Sequence, residues 1–302
     1  MFIQYKIKDV CSVVVHYKFN KKKLQENLSL HLKNFRTVIL VNNSPEINLN
    51  FLKSSNLIIL NNKKNIGLAA ALNKGIKYAE KKKYKMVALF DQDTILRENF
   101  NKNMLDNINK LLKRTKKKIA LFAPSYFNLI TQKYSKNINI ETLKLKRNKI
   151  TKKKQFSFPD YVITSGAYIP IYNLKKIGYM LEKLFIDFID IEWCLRARMK
   201  GFEIVSINNV QLKHRMGDYF LKVFGEKYPI HSPVRMYYYF RNSFYIYIYR
   251  NLSLNWKIID FSRNIFRILF YMIFVNNRLS YMKYIFKGIF HGIISKMNYL
   301  KM

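Results

Sequence analysis

The chain has 302 residues, 49% of them hydrophobic, which is enough for one large α/β domain with a sizeable core and a helical extension. This hydrophobic content excludes a disordered basic tail, although 55 Lys and Arg stand against only 18 Asp and Glu. The formal net charge of +37 indicates an anionic partner, which can be nucleic acid, lipid headgroups or a phosphate-bearing substrate. A composition bias of the source can explain part of the lysine content.

The cysteines and the hydropathy pattern indicate in which cellular compartment the protein works. Cys11 and Cys194 lie far apart, each in an apolar stretch, so we expect neither a disulfide framework nor a cysteine metal site, and a reducing cytoplasm fits. Asp9 interrupts the N-terminal region, so we expect no signal peptide. The best candidate for a spanning helix, residues 268–275, has about half of the roughly 18 apolar residues that one needs.

Short apolar runs alternate with helical patterns at the start of the chain. The predicted strands are residues 10–17, 37–41, 57–60 and 86–90, and the predicted helices are residues 23–33 and 66–82. Alternation of this kind predicts a mainly parallel sheet that is covered by helices. Ligands of such sheets bind outside the carboxyl ends of the strands.

The middle of the chain is less regular, and its last quarter is helical in pattern. The predicted elements are a hairpin or surface excursion at residues 131–156, strands at 162–170 and 203–207, and a helix at 190–200. Gly201 is well placed to end that helix. We therefore predict an α/β fold with a mixed, mainly parallel sheet over residues 1–230, followed by a basic, aromatic, helical extension over residues 231–302.

Asp91-Gln92-Asp93 directly follows the fourth predicted strand. Two carboxylates at this spacing can both reach one hard cation, Mg²⁺ or Mn²⁺, which completes its shell with substrate phosphates. Such a cation would neutralise the diphosphate leaving group of a nucleotide sugar. A solvated turn or a helix cap explains the same residues equally well. His214, which follows a later strand, is either a structural histidine or a third ligand.

A second polar set opens the second predicted helix. Asn65 can cap the helix, and Gly67 permits a close backbone approach. Asn73 follows two turns later. Because helix N-termini favour phosphate groups, the set can bind an anionic ligand. An ordinary capped helix, packed on the sheet by its small residues, is the alternative.

Acidic side chains surround the start of the helix at residues 190–200. Asp187, Asp190 and Glu192 lie near its beginning and basic residues near its end, an order that complements the helix dipole without any function. The functional interpretation is that one carboxylate deprotonates an acceptor hydroxyl. Asp190 would then lie at the mouth of a site, with Trp193 in the core or wall behind it.

The order of these motifs resembles the GT-A glycosyltransferases of family 2, and in detail the bacterial rhamnosyltransferases that build O-antigen and capsule-type polysaccharides. The resemblance covers roughly residues 8–250. It is carried by residues 13–17, 41–44, 65–75, 90–94 and 185–198, by His214, by residues 231–235 and by Arg241-Asn242. The strings Asp-Gln-Asp and Asp-Ile-Glu-Trp-Cys-Leu-Arg-Ala-Arg are fairly specific only when they occur together.

The resemblance implies a role for each matching residue. The implied metal ligands are Asp91, Asp93 and His214, and the implied catalytic residues are Asp190 and, just behind it, Glu192. The implied donor-binding residues are Tyr17, Asn42, Asn43, Ser44, Asn65, Gly67, Asn73, Asp91 and Gln92. The implied acceptor-binding residues are Ser165, Gly166, Asp187 and Trp193. Position 42 departs from the family, where an aspartate commonly contacts the nucleotide base.

Family 2 implies inverting, metal-dependent transfer. Asp190 would take a proton from the acceptor hydroxyl as that oxygen attacks the anomeric carbon of the donor sugar. By resemblance the donor is dTDP-L-rhamnose and the acceptor is a saccharide, lipid-linked in the expected pathway. A different hexosyltransferase that uses a UDP-sugar is the alternative within the enzyme class.

Aromatic and cationic residues interleave from residue 230 onward. Basic amphipathic helices with aromatic faces lie in membrane interfaces, so we expect peripheral attachment to an anionic membrane surface at the inner face of the cell membrane. A helical cap packed on the α/β domain is the alternative. A non-enzymatic nucleic-acid-binding protein is the competing class. We expect no nucleic acid, because the carboxylates of the Asp91 and Asp190 regions would repel a phosphate backbone.

Overall fold

The computed structural model describes residues 4–18, 20–151, 154–215 and 219–300. The strands are β1 (Val10–His16), β2 (Val38–Asn42), β3 (Leu57–Asn61), β4 (Met86–Asp91), β5 (Ile119–Asn128), β6 (Lys133–Tyr134), β7 (Lys136–Glu141), β8 (Lys144–Lys149), β9 (Phe156–Ser157), β10 (Ala167–Pro170), β11 (Glu203–His214), β12 (Tyr219–Val223) and β13 (Glu226–Ile230). The helices are α1 (Lys21–Asn34), α2 (Leu68–Lys81), α3 (Phe100–Leu112), α4 (Ile171–Ile177), α5 (Ile189–Met199), α6 (Pro233–Tyr249), α7 (Leu254–Phe274) and α8 (Arg278–Ile293).

A nine-stranded sheet forms the centre of the molecule, in the order β3-β2-β1-β4-β10-β5-β11-β9, with β6 paired to β5. Strands β1 to β4 are parallel to one another, β10 runs antiparallel between β4 and β5, and β11 is parallel to β5. His16 pairs with Asn42, and Val15 pairs with Asp91. The carboxyl ends of β1, β2 and β4 therefore meet at one edge, and the predicted fold class is confirmed.

Both faces of the sheet are buried, which explains the nearly continuous apolar strands. Along β1, Val13 and Val15 pack with α2, α4 and α5, whereas Val10 and Val14 pack with α1 and α3. Gly75 lets α2 lie close to β1, because a Cβ there would be 2.4 Å from a methyl carbon of Val13. This close packing fixes the start of α2 against the edge that carries the polar residues.

The predicted elements of the first 90 residues and the helix at 190–200 agree with the structure to within two residues. The strand predicted at 162–170 is shorter, Ala167–Pro170, because Gly166 has φ +86° and turns the chain just before it. The strand predicted at 203–207 continues to His214, with a register shift after Ile207. Residues 131–156 contain the β7–β8 hairpin, as predicted.

Several elements were not predicted, including helix α4. Helix α3 and strand β5 were unassigned, although residues 119–123 form an apolar run. The β12–β13 hairpin was also unassigned, because its exposed strands alternate weakly. These features complete the sheet and add a projection before α6.

The C-terminal region is helical, as predicted, and two of its helices pack very closely. A Cβ at Gly288 or Gly292 of α8 would lie 2.5 or 2.4 Å from a backbone oxygen of α6. Within the described residues, no helix is long and apolar enough to span a membrane. The boundary at residue 230 stays a prediction; β13 ends at Ile230 and α6 begins at Pro233.

Candidate active site

Polar residues collect where β1, β2 and β4 end. Asn42 ends β2, Asp91 ends β4, and Tyr17 follows β1. The Tyr17 backbone N–H donates to the Gln92 side chain at 2.7 Å, and the Gln92 amide donates back to the Tyr17 carbonyl at 2.8 Å. This reciprocal pair joins the turn after β1 to the Asp91-Gln92-Asp93 turn. The Tyr17 side chain remains exposed on the cleft side of the pair.

Asp91, Asp93 and His214 form a three-residue cluster at this edge. One ligand atom from each residue lies within 4.8 Å of the others. His214 Nε2 is 3.6 Å from Asp91 Oδ2, and His214 Nδ1 is 3.3 Å from Asp93 Oδ1. Two carboxylates and an imidazole suit a divalent cation such as Mn²⁺, so the donor set fits the predicted metal.

The charges of the cluster favour a bound cation. Burial and the nearby Asp93 carboxylate raise the pKa of Asp91, whereas His214 and Arg235 oppose that rise. Burial by itself would lower the pKa of His214, but the two carboxylates outweigh it and raise the pKa above its ordinary value. A divalent cation bound between the two carboxylates would offset the burial and charge repulsion that raise the pKa of Asp91.

Asp190 lies in the first turn of α5 and is half-buried. Burial raises the pKa of its carboxyl to about 6, and the negative charges of Asp187 and Asp91 add to the rise. Asp190 therefore lies within electrostatic range of Asp91, one residue of the metal-ligand cluster. A small cavity of about 10 Å³ lies behind it, against Trp193. A carboxyl whose pKa is close to neutrality is suited to accept a proton from a hydroxyl group.

The loop before Asp190 has an unusual backbone. Phe185, Asp187 and Phe188 all have positive φ angles of 62 to 64°, which cost energy for residues other than glycine. The side-chain amide of Asn242 in α6 donates to the carbonyls of Leu184, Ile186 and Asp187 at 2.6 to 3.1 Å. The C-terminal region therefore holds the loop that presents Asp190.

Two arginines support the same loop. The Arg241 guanidinium donates to the carbonyls of Lys183 and Leu184 at 3.1 and 3.0 Å, and Arg241 is fully buried. Arg235, in the first turn of α6, donates from Nε and Nη2 to the Asp187 carboxylate at 3.0 to 3.3 Å. Arg235 also acts electrostatically on Asp91 and His214, which places its positive charge near the cluster.

Asn42 and Asn43 lie at the predicted donor side but are buried and hydrogen-bonded within the protein. The Asn42 oxygen accepts from the Ser44 N–H, and its amide donates to Asn61 and to a backbone carbonyl. Asn43 bonds to Asn65, Asn62 and the backbone of residues 66 and 67. Ser44 accepts from the Lys18 N–H. These side chains shape the donor side of the cleft, and direct contact with a donor stays a prediction.

The start of α2 is closed by protein rather than open to phosphate. The Phe185 carbonyl accepts from the N–H groups of Leu68 and Ala69 at 2.6 and 3.3 Å. Gly67 is required by this contact, because a Cβ there would lie 2.5 Å from the Phe185 ring. The capped-helix alternative therefore describes Gly67, and its donor-binding role is not carried into the proposal. Asn65 bonds to Asn43 and to the Gly67 N–H.

Asn73 and Glu192 also have structural partners. Asn73 is buried, donates to the Met180 carbonyl and to Glu182, and accepts from the Met180 N–H. Glu192 is fully buried and accepts from Arg196 at 2.9 and 3.0 Å and from Arg250 at 2.7 Å. These contacts give both side chains a structural role, and the donor-binding role of Asn73 and the catalytic role of Glu192 stay predictions.

Most of the predicted acceptor residues also have structural contacts within the protein. Ser165 is buried, accepts from the Asp91 N–H at 3.4 Å and bonds to Thr94. Gly166 donates to the Leu89 carbonyl, so both brace the turn that carries Asp91. Trp193 is 1% exposed, and its ring N–H donates to the Gly178 carbonyl, which places it in the core. Asp187 differs from these three because its negative charge acts on the Asp190 carboxyl.

Sequence analysis assigned no role to Arg235, Arg241 and Asn242, although it noted them in the resemblance. A signal was present for Arg235, because Ser232 and Pro233 mark the start of a helix and a cation in its first turn opposes the dipole. Such a cation requires a nearby anion. The signal for Arg241-Asn242 was a polar pair inside a buried aromatic run, which requires hydrogen-bond partners.

A mainly parallel sheet with a polar cluster at the carboxyl ends of its strands is typical of α/β proteins that bind a ligand at this edge. The family model for glycosyl transferase family 2 matches residues 12–170, which is more than half of the chain. The chain therefore belongs to glycosyl transferase family 2. It is 35% identical over 185 residues to the dTDP-rhamnosyl transferase RfbF of Shigella flexneri, and the match covers 60% of each chain. The chain thus spans about 60% of that relative's length.

Solved structures share the fold at low sequence identity. The structure of Staphylococcus aureus TarS 1-349 in complex with UDP-GlcNAc has a TM-score of 0.56 and 16% identity, covering 95% of this chain and 82% of TarS 1-349. The structure of GalNAc-T7 with UDP, GalNAc and Mn²⁺ has a TM-score of 0.56 and 12% identity, covering 84% of this chain and 54% of that one. Both confirm the predicted fold.

Proposed function

We propose that this protein transfers L-rhamnose from dTDP-L-rhamnose to a saccharide acceptor, with inversion and with the help of a divalent cation. One observation carries the proposal: Asp190, with a raised pKa, lies within electrostatic range of Asp91 in the Asp91, Asp93 and His214 cluster at the carboxyl edge of the sheet. A base next to a diphosphate-binding metal site is what glycosyl transfer requires. The similarity to the Shigella enzyme supports the choice of sugar.

The proposed mechanism uses the protein's own groups in defined positions. Asp190 accepts the proton of the acceptor hydroxyl while that oxygen attacks the anomeric carbon of the donor sugar. The bond from that carbon to the diphosphate breaks at the same time, on the opposite face, so the configuration inverts. Asp91, Asp93 and His214 would hold Mg²⁺ or Mn²⁺, which stabilises the negative charge of the departing diphosphate.

Arg235 is placed to assist the leaving group. Its guanidinium is paired with Asp187 and lies within electrostatic range of Asp91. A guanidinium matches the geometry of phosphate oxygens, so we assign Arg235 to the diphosphate in addition to the metal. Asp187 orients this arginine, and the Asn242 contacts orient Asp187 in turn.

The acceptor is proposed to be a lipid-linked saccharide at an anionic membrane surface. The chain's net charge of +37 supports an anionic environment. Charge alone does not distinguish lipid from nucleic acid, but the carboxylate cluster at the cleft favours a metal-bound diphosphate ligand over a nucleic acid backbone.

A transfer assay tests the proposed function. The protein is incubated with Mn²⁺, dTDP-L-rhamnose carrying a labelled sugar, and a bacterial lipid extract. We expect metal-dependent release of dTDP and transfer of the label to the organic phase. Release of UDP from a UDP-hexose, without release of dTDP from dTDP-L-rhamnose, would show that the donor is a UDP-sugar. No release of a nucleotide from any nucleotide sugar would overturn the proposed function.

A further inference from the structure

The outer face of α7 is apolar and uncovered. Nine residues of α7 are exposed, and eight of them are apolar. They are Leu254, Ile258, Phe261, Ile265, Phe266, Leu269, Met272 and Ile273; the ninth is Ser262. Their spacing of three and four residues places them along one side of a helix about 31 Å long. A continuous apolar face of this length marks an interaction surface.

The opposite face of α7 is fixed to the protein by buried polar contacts. Asp260 is buried and accepts from the Tyr247 hydroxyl at 2.7 Å, and Asn264 donates to the same hydroxyl at 2.9 Å. Arg267 bonds to the Tyr239 hydroxyl of α6. These bonds hold the charged groups of α7 inward, so the helix cannot rotate to bury its apolar face without breaking them.

The β12–β13 hairpin extends this surface. Phe224 at its tip is 91% exposed, and its ring centre lies 6.0 Å from that of Phe274 at the end of α7. The ring centre of Tyr228 in the hairpin lies 5.2 Å from that of Phe270 in α7. The exposed Phe224 ring and the apolar face of α7 therefore border one another.

The charges around the surface distinguish a bilayer from a second copy of the chain. Residues 231–302 contain eleven Lys and Arg but a single acid, Asp260, which is buried. Lys283 and Lys287 are exposed on α8 between Leu279, Phe286 and Phe290. A second copy would bring like charges together with no exposed acid from this region to pair with them. Anionic headgroups complement these cations, and the acyl boundary complements the apolar face.

We propose that the exposed face of α7, together with Phe224, docks in the interface of an anionic bilayer with the helix parallel to the membrane plane. The described part of the chain has no spanning helix, which fits shallow insertion rather than crossing. This docking rests on the proposed function, because it would bring the carboxyl edge of the sheet close to a lipid-linked acceptor.

Vesicle co-sedimentation of the full chain tests this face. The probes are vesicles of phosphatidylglycerol mixed with phosphatidylcholine, and vesicles of phosphatidylcholine alone. The test variant carries Phe266→Glu with Ile273→Glu, at side chains that are 72% and 61% exposed. A matched control carries Leu143→Glu with Tyr172→Glu, which makes the same charge change at exposed positions outside the C-terminal region.

We expect the wild type and the control to bind the anionic vesicles, with weaker binding to phosphatidylcholine and at high salt. The affinity of the α7 variant for the anionic vesicles should be lower by about tenfold or more. Equal binding by the α7 variant, or no binding by the wild type, would overturn the proposal. A wild type that self-associates and becomes monomeric in the α7 variant, with unchanged vesicle binding, would assign the face to a second copy instead.

Donor binding is measured on the same preparations to separate this inference from the proposed function. Thermal stabilisation by a nucleotide sugar with Mn²⁺ should be equal in the wild type and the α7 variant, because the substituted side chains lie on the outer face of α7. Loss of vesicle binding with intact stabilisation supports the inference. Failure of every nucleotide sugar to stabilise the wild type would overturn the proposed function while leaving the vesicle result valid.

Discussion

The Asp190 carboxyl is the residue on which the proposed chemistry depends. Asp190→Asn keeps the size and a hydrogen-bonding oxygen but removes the base, so we expect the kcat of transfer to fall by about 10²- to 10⁴-fold. The affinity for the donor should change little, because the metal ligands remain. Steady-state kinetics and donor titration measure the two quantities.

Asp106→Asn is a matched control for that variant, because it makes the same chemical change on the exposed face of α3. It should have normal turnover. Near-normal turnover in Asp190→Asn itself would remove Asp190 from the role of base.

The pH dependence of transfer follows from the same group. Burial raises the pKa of Asp190 from its ordinary value to about 6, so the carboxylate is present above that pH and is protonated below it. We therefore expect kcat/KM to fall as the pH is lowered through about 6. A rate that stays constant from about pH 7 to about pH 5 would contradict a base with this pKa.

Helix α6 supports catalysis without touching the substrate in this account. Asn242→Ala removes three bonds to carbonyls of the loop before α5, where Asp187 has a positive φ angle. We expect kcat to fall more than donor affinity, and the free energy of unfolding to fall by about 1–3 kcal/mol.

Asn251→Ala, at an exposed position between α6 and α7, is the matched control and should resemble the wild type in both measurements. If kcat and donor affinity of Asn242→Ala fell in equal proportion, or neither changed, the positioning role of Asn242 would be excluded.

A variant of Glu192 in α5 distinguishes a structural role of this residue from a catalytic one. Its carboxylate is fully buried between Arg196 and Arg250, so Glu192→Ala leaves two cations without their partner. Breaking a buried pair in this way should lower the free energy of unfolding by about 3–5 kcal/mol. Denaturant unfolding measures this loss. A variant that is as stable as the wild type but inactive would restore Glu192 to the catalytic site.

Local sequence patterns predicted the first four strands, two helices and α5 because burial on both sheet faces leaves a clear apolar signal. They did not predict the bond from Asn242 to the Asp187 carbonyl, since these residues are distant in the chain and meet only through tertiary packing. The strand-end position of Asp91 and Asp93 indicated a cation site, and the resemblance added His214; the structure brings the three together. The structural roles of Gly67 and Asn73 could not be separated from ligand binding by spacing alone.

At the scale of the whole molecule, the C-terminal region has two functions in this account. Its inner side holds the loop that carries Asp187, through Arg241 and Asn242. Its outer side, formed by α7, presents an apolar face in a region rich in cations. The sequence left packing on the α/β domain and membrane attachment as alternatives for this region. A helical pattern does not show which face of a helix packs against the rest of the chain.

The central claim is that the carboxylate cluster binds a nucleotide sugar through a divalent cation. The most direct measurement is the shift in Tm of the wild type and of Asp93→Asn with Mn²⁺ and each of several nucleotide sugars. At about 100 times the dissociation constant, binding adds about 2.7 kcal/mol to stability, which is a measurable shift. The account predicts that dTDP-L-rhamnose with Mn²⁺ raises the Tm of the wild type most, and that Asp93→Asn loses the metal-dependent part. No shift with any nucleotide sugar, together with stabilisation by DNA, would contradict it.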